Sequence, residues 1–545
     1  MITETAGARK AVFIDAACLA LITLLSALPY ITKIGFYSDD WFIVASFHDG
    51  RVGLPALLAD FPSRPLQGLY LASLFKLSGT EPLGYHAVNT AIIALSAVGL
   101  YLLLIRLRFG RAEAFASAVV FLLLPQLSTV RVWVAAAQVP LSMLLALISM
   151  HAQLSFVQSR KPGLVLLAAI SAIASVLAYE IFAALIIAFP VGLAFARWKE
   201  RSIRSSLQSK GIAIAAATVA VALAVTAVLK VLLSERARLM KPYDYLVGAY
   251  RFFSPSYDWR VDYGPNIFAA LDVYAWQTLI RWPEALATLV IGGLAFPTLV
   301  VVILSGLIVF KRMSSGEEVR PKRLALVGFA AFLLGHAVFL VLPGLMFSPS
   351  GLANRVSVAA APGVAMLIVA ALIFIVSTLP SRWRRKAIAM SVTLVVIAAM
   401  ARLVFVEAHW AEASRLQNRI LASAKRDLAS VPTGSTVILD RVCPYQGPGV
   451  VFETWWDTGP ALSLAMGRKI DGDVISERAK ITPRGLVTSI YGEAREYPYG
   501  DVLYLYDPSS KFLTQLRNLT EARSYFSARR PAPCPRGFVS QGVIV

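Results

Sequence analysis

The chain has 545 residues, 57% hydrophobic and 15% charged, with a formal net charge of +20 and a mean hydropathy of +0.66. That is too apolar for a soluble protein of this length and reads as a polytopic α-helical membrane protein. The positive charge does not mark a nucleic-acid binder. Residues 407–545 hold 17 Lys and Arg against 14 Asp and Glu, and the remaining +17 sits mostly in short turns between apolar runs, as topogenic charge does.

In chain order, Arg9-Lys10 precede a first span over about 11–31, read as a retained anchor rather than a cleaved signal. A polar, Pro-rich segment follows over 32–82, too polar to cross. Its pieces Trp41-Phe42-Ile43-Val44 and Leu66 to Leu77 read as short helices lying in the interface. The second span is about 84–105, and spans three and four, about 113–130 and 138–157, form a hairpin whose turn holds Gln126, Arg131 and Trp133. The run from Leu164 to Ala196 is long enough for two short spans, interrupted by Tyr179-Glu180. A single helix would bury Glu180 in hydrocarbon, so two spans are expected.

Span seven is about 211–233. A second long outer loop over 234–282 contains Lys241 to Phe253, which reads as an amphipathic interfacial helix. Spans eight to eleven fall at about 284–310, 324–343, 356–379 and 387–406, with Asn354-Arg355 in the outer turn between the ninth and tenth. This gives about 11 transmembrane helices, the N-terminus cytoplasmic and the C-terminus outside. On that topology 21 Lys and Arg face the cytoplasm and 12 fall in the much longer outer loops, which agrees with the positive-inside rule.

The expected domains are therefore a membrane part, 1–406, and a soluble extracytoplasmic α/β domain, 407–545. In the tail, Thr436 to Leu439 and Val502 to Tyr506 read as strands, and Ala411 to Ala429 and Gly459 to Met466 as helices. Cys443 and Cys534 both lie in this tail, and outside the cytoplasm they are able either to pair or to stay free. Five scattered histidines and three cysteines have no zinc spacing, and the chain has no P-loop, GxGxxG or HExxH motif.

The chemistry centres on Asp39-Asp40-Trp41. Adjacent carboxylates at the mouth of an apolar span are costly to desolvate and need a reason to be there. One of the two reads as a general base. Either could instead cap the interfacial helix that follows, for example Asp39 capping while Asp40 works. Arg64, Lys241 and Arg355 are candidates for holding a phosphate, and the bland reading of Arg64 and Arg355 is anchorage to headgroups. His86 and Asn89 share one helical face and Glu180 marks a helix break; each reads as a supporting group or as plain structure. Trp455-Trp456-Asp457 reads as a sugar-stacking platform or as aromatic core.

Asp39-Asp40-Trp41, then Arg64-Pro65-Leu66, then Gly84-Tyr85-His86-Ala87-Val88-Asn89 resemble the N-terminal signature of the GT-C glycosyltransferases, a group that includes protein O-mannosyltransferases and the bacterial aminoarabinose transferase. Pro125 with Trp133, and Tyr179-Glu180, fall where such proteins carry further outer-face motifs. The likeness covers about 30–200 well and the later spans as hydropathy plus Asn354-Arg355. Two features depart from the pattern: Tyr179 stands where relatives often have a lysine before the glutamate, and the later spans have no motif naming the donor sugar.

The resemblance implies a GT-C fold in a bacterial inner membrane and a polyprenyl-phosphate-linked sugar donor. The acceptor would be an envelope glycan, lipid or protein on the periplasmic side. It also implies inversion at the anomeric centre and one acid of the first outer loop as base. A divalent cation, Mg or Mn, held by Asp39 and Asp40 is permitted without being required. The donor already carries a phosphate leaving group, so one acid with several cations is expected rather than the paired carboxylates of a hydrolase. The rivals are a lipid-linked substrate transporter or flippase and a non-catalytic envelope-assembly protein. A transporter would place ionisable groups near the midplane.

Overall fold

The structure is a computed structural model and describes residues 6–197, 203–234, 241–254, 295–314, 321–340, 351–475, 480–490, 493–528 and 534. Eighteen α-helices are used below, labelled in chain order. The first span is α1, Ala6–Ala27, and three short helices follow it: α2, Asp39–His48; α3, Leu54–Asp60; and α4, Pro65–Ser78. Proline at the first turn of α3 and of α4 sets where each begins, because its missing N–H costs nothing there. The long helices α5, Pro82–Arg106, and α8, Gln138–Ser159, flank α6, Arg111–Leu123. Every residue from Ala112 to Leu123 is buried, so α6 is apolar all round and sits inside the bundle.

The third span is not one continuous helix, contrary to the reading of 113–130. It breaks at Leu124-Pro125, with a 55° bend between Arg111–Leu123 and Pro125–Val132. Proline has no N–H to donate and drives the preceding residue out of the α region; Leu124 has ψ 131°. The chain continues as a 3-10 turn, Pro125–Leu127, then α7, Ser128–Val132, then a second 3-10 turn, Val134–Ala136.

The run over 164–196 does form two helices, α9, Pro162–Ala178, and α10, Ala183–Arg197, separated by extended Tyr179 and the 3-10 turn Glu180–Phe182. Next come α11, Ile203–Leu233; α12, Pro242–Phe253; α13, Ala295–Met313; α14, Pro321–His336; and α15, Ala361–Val376. On α12, Tyr243, Leu246, Tyr250 and Phe253 are all exposed, one stripe at helical spacing. The rest of the second outer loop, 255–282, and the start of span eight lie outside the described residues. Helices α14 and α15 meet at glycine: a Cβ on Gly363 would lie 2.3 Å from the Phe332 nitrogen, the close backbone approach that small residues permit.

Among the described residues, six helices are long and apolar enough to cross a membrane, or seven with the bent pair as one span; Pro162–Ala178, Glu180–Ala194 and Ala361–Val376 are shorter apolar helices. The expected count of about 11 is not reached by that measure. The eleventh span and the first tail helix are one element, α16, Ser381–Asp427, 47 residues without interruption. It runs straight through residue 406, and no turn residue in that stretch would have stopped it.

The C-terminal part is α/β, as expected. Its main sheet has the order β4-β1-β8-β9, with β1 (Thr436–Leu439) parallel to β4 (Asp471–Val474) and β8 (Leu503–Asp507), and β9 (Phe512–Gln515) antiparallel to β8. A ribbon of β2 (Tyr445–Gln446) and β3 (Gly449–Val450) and an antiparallel sheet of β5 (Lys480–Ile481), β6 (Gly485–Ile490) and β7 (Glu493–Pro498) complete it. Helix α17, Trp455–Met466, begins four residues before the expected Gly459 and packs on β4. Their crossing is at Gly459 and Gly472, where an added Cβ on Gly459 would meet the Gly472 nitrogen at 2.9 Å. The last helix is α18, Leu519–Ala528. Cys443 and Cys534 are joined as a disulfide, and Cys18 is free.

Candidate active site

The segment before α2 is held by aromatic anchors. Tyr37 is fully buried; its hydroxyl donates to the Trp410 carbonyl at 2.7 Å and its ring meets the Trp410 ring at 4.7 Å. This fixes the first outer segment against α16. Ser38 then has φ 48°, a conformation uncommon for a residue with a Cβ. The turn places the two aspartates differently.

Asp40 is fully buried. One of its oxygens accepts the Tyr37 and Val134 N–H groups at 3.0 and 3.1 Å, and the other accepts the Ala135 N–H at 2.6 Å. It therefore pins α2 to the 3-10 turn after the broken third span. Burial pushes its carboxyl up from the ordinary range, and the three amides oppose this by favouring the carboxylate. Asp39, by contrast, is exposed. Ser38 Oγ lies 3.5 Å from one of its oxygens. Protein around the cleft raises its pKa, and the positive charge of Arg355 pulls it back. Asp40 thus takes the backbone amides, and Asp39 is left exposed.

Arg355 reaches this place from a 3-10 turn, Leu352–Ser357. Its guanidinium lies over the Trp133 ring at 4.5 Å, and the Trp133 indole N–H donates to the Tyr37 carbonyl at 3.1 Å. The three residues Trp133, Val134 and Ala135 therefore hold both the base of the Asp39 turn and the cation opposite it. That turn exists because Pro125 broke the helix.

Arg64 and Glu180, both picked from sequence, meet. The Arg64 guanidinium donates to both Glu180 oxygens at 2.7 and 3.3 Å and lies 4.4 Å over the Tyr179 ring. Lys230, near the end of α11, donates to Glu180 Oε2 at 2.7 Å. The cluster is two cations around one anion, so it carries net positive charge. Tyr179, the departure from the family pattern, is the face on which Arg64 stacks.

His86 and Asn89 tie segments together. His86 Nε2 is 3.1 Å from the Gly35 carbonyl, and the Asn89 amide donates to the Val130 carbonyl at 2.6 Å. Both hold the backbone behind the site. Lys241 is exposed at the start of α12, where its backbone N–H bonds Asp244 at 2.8 Å.

The C-terminal domain closes one side. Ser38 Oγ donates to Glu453 Oε1 at 2.5 Å, the Trp456 indole N–H reaches Ser38 Oγ at 3.3 Å, and the Tyr445 hydroxyl donates to Glu453 Oε2 at 2.6 Å. Asp457 accepts the Glu453 and Thr454 N–H groups at 2.8 and 3.1 Å, which caps α17. Sequence reading missed Lys230 and Glu453 as parts of the site. Lys230 had a signal, a lone cation near the end of an apolar run; Glu453 had none.

Among the described residues, no group of three or more His, Cys, Asp or Glu side chains is arranged to hold a metal ion. Both Asp40 oxygens accept amide N–H groups.

No protein-family model matches the chain, and no curated protein matches it. Among solved structures it is similar to the apo oligosaccharyltransferase of Archaeoglobus fulgidus, at 11% identity and a TM-score of 0.43, covering 86% of this chain and 65% of that one. It is also similar to the arabinofuranosyltransferase AftD from Mycobacteria, at 16% identity and a TM-score of 0.39, covering 87% of this chain and 33% of that one. A third is ArnT from Cupriavidus metallidurans bound to undecaprenyl phosphate, at 12% identity and a TM-score of 0.38, covering 85% of each. These neighbours are GT-C glycosyltransferases. The chain spans less than two thirds of the length of the first two.

Proposed function

We propose that this protein is a membrane glycosyltransferase that moves one sugar from a polyprenyl-phosphate-linked donor to an acceptor hydroxyl, with Asp39 as the base. The observation that carries this is the divided aspartate pair. Asp40 is consumed as an anchor, which leaves Asp39 open to the cleft and next to Arg355.

A carboxylate within hydrogen-bond reach of an acceptor hydroxyl takes its proton as the new glycosidic bond forms, an effect of about 10²–10⁴-fold. The leaving phosphate departs with the bonding electrons and needs positive charge rather than a proton. Arg355 is the cation nearest Asp39 in this account, and the Arg64–Glu180–Lys230 cluster supplies net positive charge from a second side. Lys241 and the exposed aromatic stripe of α12 would lie along the lipid carrier, of the class bound in the ArnT structure. One direct displacement would invert the anomeric centre.

The acceptor would be an envelope glycan, a lipid or a protein on the periplasmic face of a bacterial inner membrane, with 407–545 on that face and the N-terminus in the cytoplasm. The contact of Ser38 with Glu453 supports one shared side for the first outer loop and the C-terminal domain. Against a transporter stands the placement of ionisable groups. Asp15 is paired with Arg312 and Arg111, which lie at the ends of α13 and α6.

The test compares a strain with intact protein and one carrying Asp39→Asn at equal membrane abundance. Envelope glycans and lipid-linked sugars are read by mass spectrometry. Loss of one sugar from a surface glycan with accumulation of its polyprenyl-phosphate form is expected. Unchanged profiles overturn the proposal and favour a scaffold.

A further inference from the structure

A second concave site lies in the C-terminal domain. At the carboxyl ends of the parallel strands β1 and β8, a cavity of about 810 Å³ opens beside Asp440 and Asp507. Ligand crevices in open α/β sheets form at this edge, because the strands end there and their loops diverge. The volume is in the range of small-ligand sites, roughly 300–1,000 Å³. One wall is β9 and the other is a face of α18, with the Phe512 and Tyr525 rings stacked at 6.4 Å and 18° between them.

The lining narrows the chemistry. Asp440, Asp507 and Glu521 supply carboxylates, and Arg441 and Arg517 supply guanidinium groups. Three acids against two bases disfavour a phosphate or another strong anion. The acids are also built in: the Tyr525 hydroxyl donates to Asp440 at 2.5 Å, and the Ser509 and Ser510 hydroxyls donate to Asp507 at 2.6 and 2.8 Å. Such a surface offers acceptors, fork-shaped donors and an aromatic face within one cavity. A chain of sugars presents the matching set: hydroxyls that donate, ring and hydroxyl oxygens that accept, and apolar C–H faces that lie on aromatic rings.

We propose that this cavity binds a neutral oligosaccharide and is a glycan-holding site separate from the Asp39 cleft. A stretch of chain joins the two places. Residues 440–453 run from the cavity to Glu453, which accepts the Ser38 hydroxyl, and Cys443 in that stretch is cross-linked to Cys534. The proposal does not depend on sugar transfer at Asp39.

The experiment uses full-length protein in nanodiscs, titrated with mannohexaose, maltohexaose and an arabinofuranose hexamer, with mannose 6-phosphate as the anionic control. Binding is read by saturation-transfer NMR and calorimetry. At least one neutral oligosaccharide is expected to bind. Phe512→Ala and Arg517→Ala should each weaken it about tenfold, or about 1.4 kcal/mol, with unchanged melting temperatures because both side chains are exposed. Asp39→Asn should bind as the intact protein does. The proposal is overturned by no binding of any neutral sugar, by binding indifferent to both cavity variants, by stronger binding of the phosphorylated sugar, or by binding lost in Asp39→Asn.

Discussion

Ser38 donates its hydroxyl to Glu453 across 2.5 Å, 415 residues later in the chain. That bond joins the residue before the candidate base to the residue before the α17 cap, so the C-terminal domain packs against the Asp39 turn. A hydrogen bond to a charged group contributes about 1.5–3 kcal/mol. A double-mutant cycle of Ser38→Ala with Glu453→Gln, read by thermal unfolding, should return a coupling energy of that order. Additive effects of the two changes would show that the two parts are held elsewhere.

The two aspartates should separate by phenotype. Asp39→Asn is expected to lower transfer by about 10²–10⁴ with the melting temperature preserved. In Asp40→Asn an NH₂ group faces backbone donors, and each buried donor left unpaired costs about 1–3 kcal/mol. That variant should lose membrane abundance and melt earlier. Parallel measurement of turnover and melting distinguishes them; equal melting of both variants would contradict the anchoring role of Asp40.

Glu180 sits between Arg64 and Lys230. Removing its charge leaves two partly buried cations facing each other, which should cost about 1–3 kcal/mol after allowance for their partial exposure. Glu180→Gln should therefore be less stable than Glu180→Gln with Lys230→Met, because the second change removes one of the stranded charges. If the double variant melts no higher than the single, the cluster is not an electrostatic unit.

Transfer should rise with pH on its acid limb, because Asp39 must be ionised to accept a proton. Desolvation by the surrounding protein raises the Asp39 pKa from its ordinary value and Arg355 lowers it, so Arg355→Ala should move the acid limb upward. The sign for stability is the opposite. A group with a raised folded pKa contributes stability below its unfolded pKa and loses it as pH rises through the folded value. A profile of kcat/KM against pH for both forms checks the shift, and an acid limb that moves downward in Arg355→Ala would remove Arg355 from the neighbourhood of the base.

Much of the fold was legible because its signals are local. Apolar runs gave the helices, Tyr179-Glu180 gave the break between α9 and α10, and alternation with strand formers gave β1 and β8. The break at Leu124-Pro125 is equally local, but an apolar run hides a proline that sits inside it. The fusion of span eleven with the tail helix was passed over because polarity changes at 406 while helix propensity does not.

The sequence by itself determined that the chain is a helical membrane protein with an α/β tail, and it put Asp39, Asp40, Arg64, Glu180 and Arg355 forward as the residues to watch, since unpaired charge beside apolar helices is conspicuous wherever it occurs. Only the tertiary structure decided their partners. Whether a carboxylate is an anchor or a free base depends on which amides reach it, and for Asp40 those belong to Val134 and Ala135, on another segment. Glu453 and Lys230 joined the site for the same reason: hydrogen-bond geometry between distant segments is a property of packing, and residue order does not encode it locally.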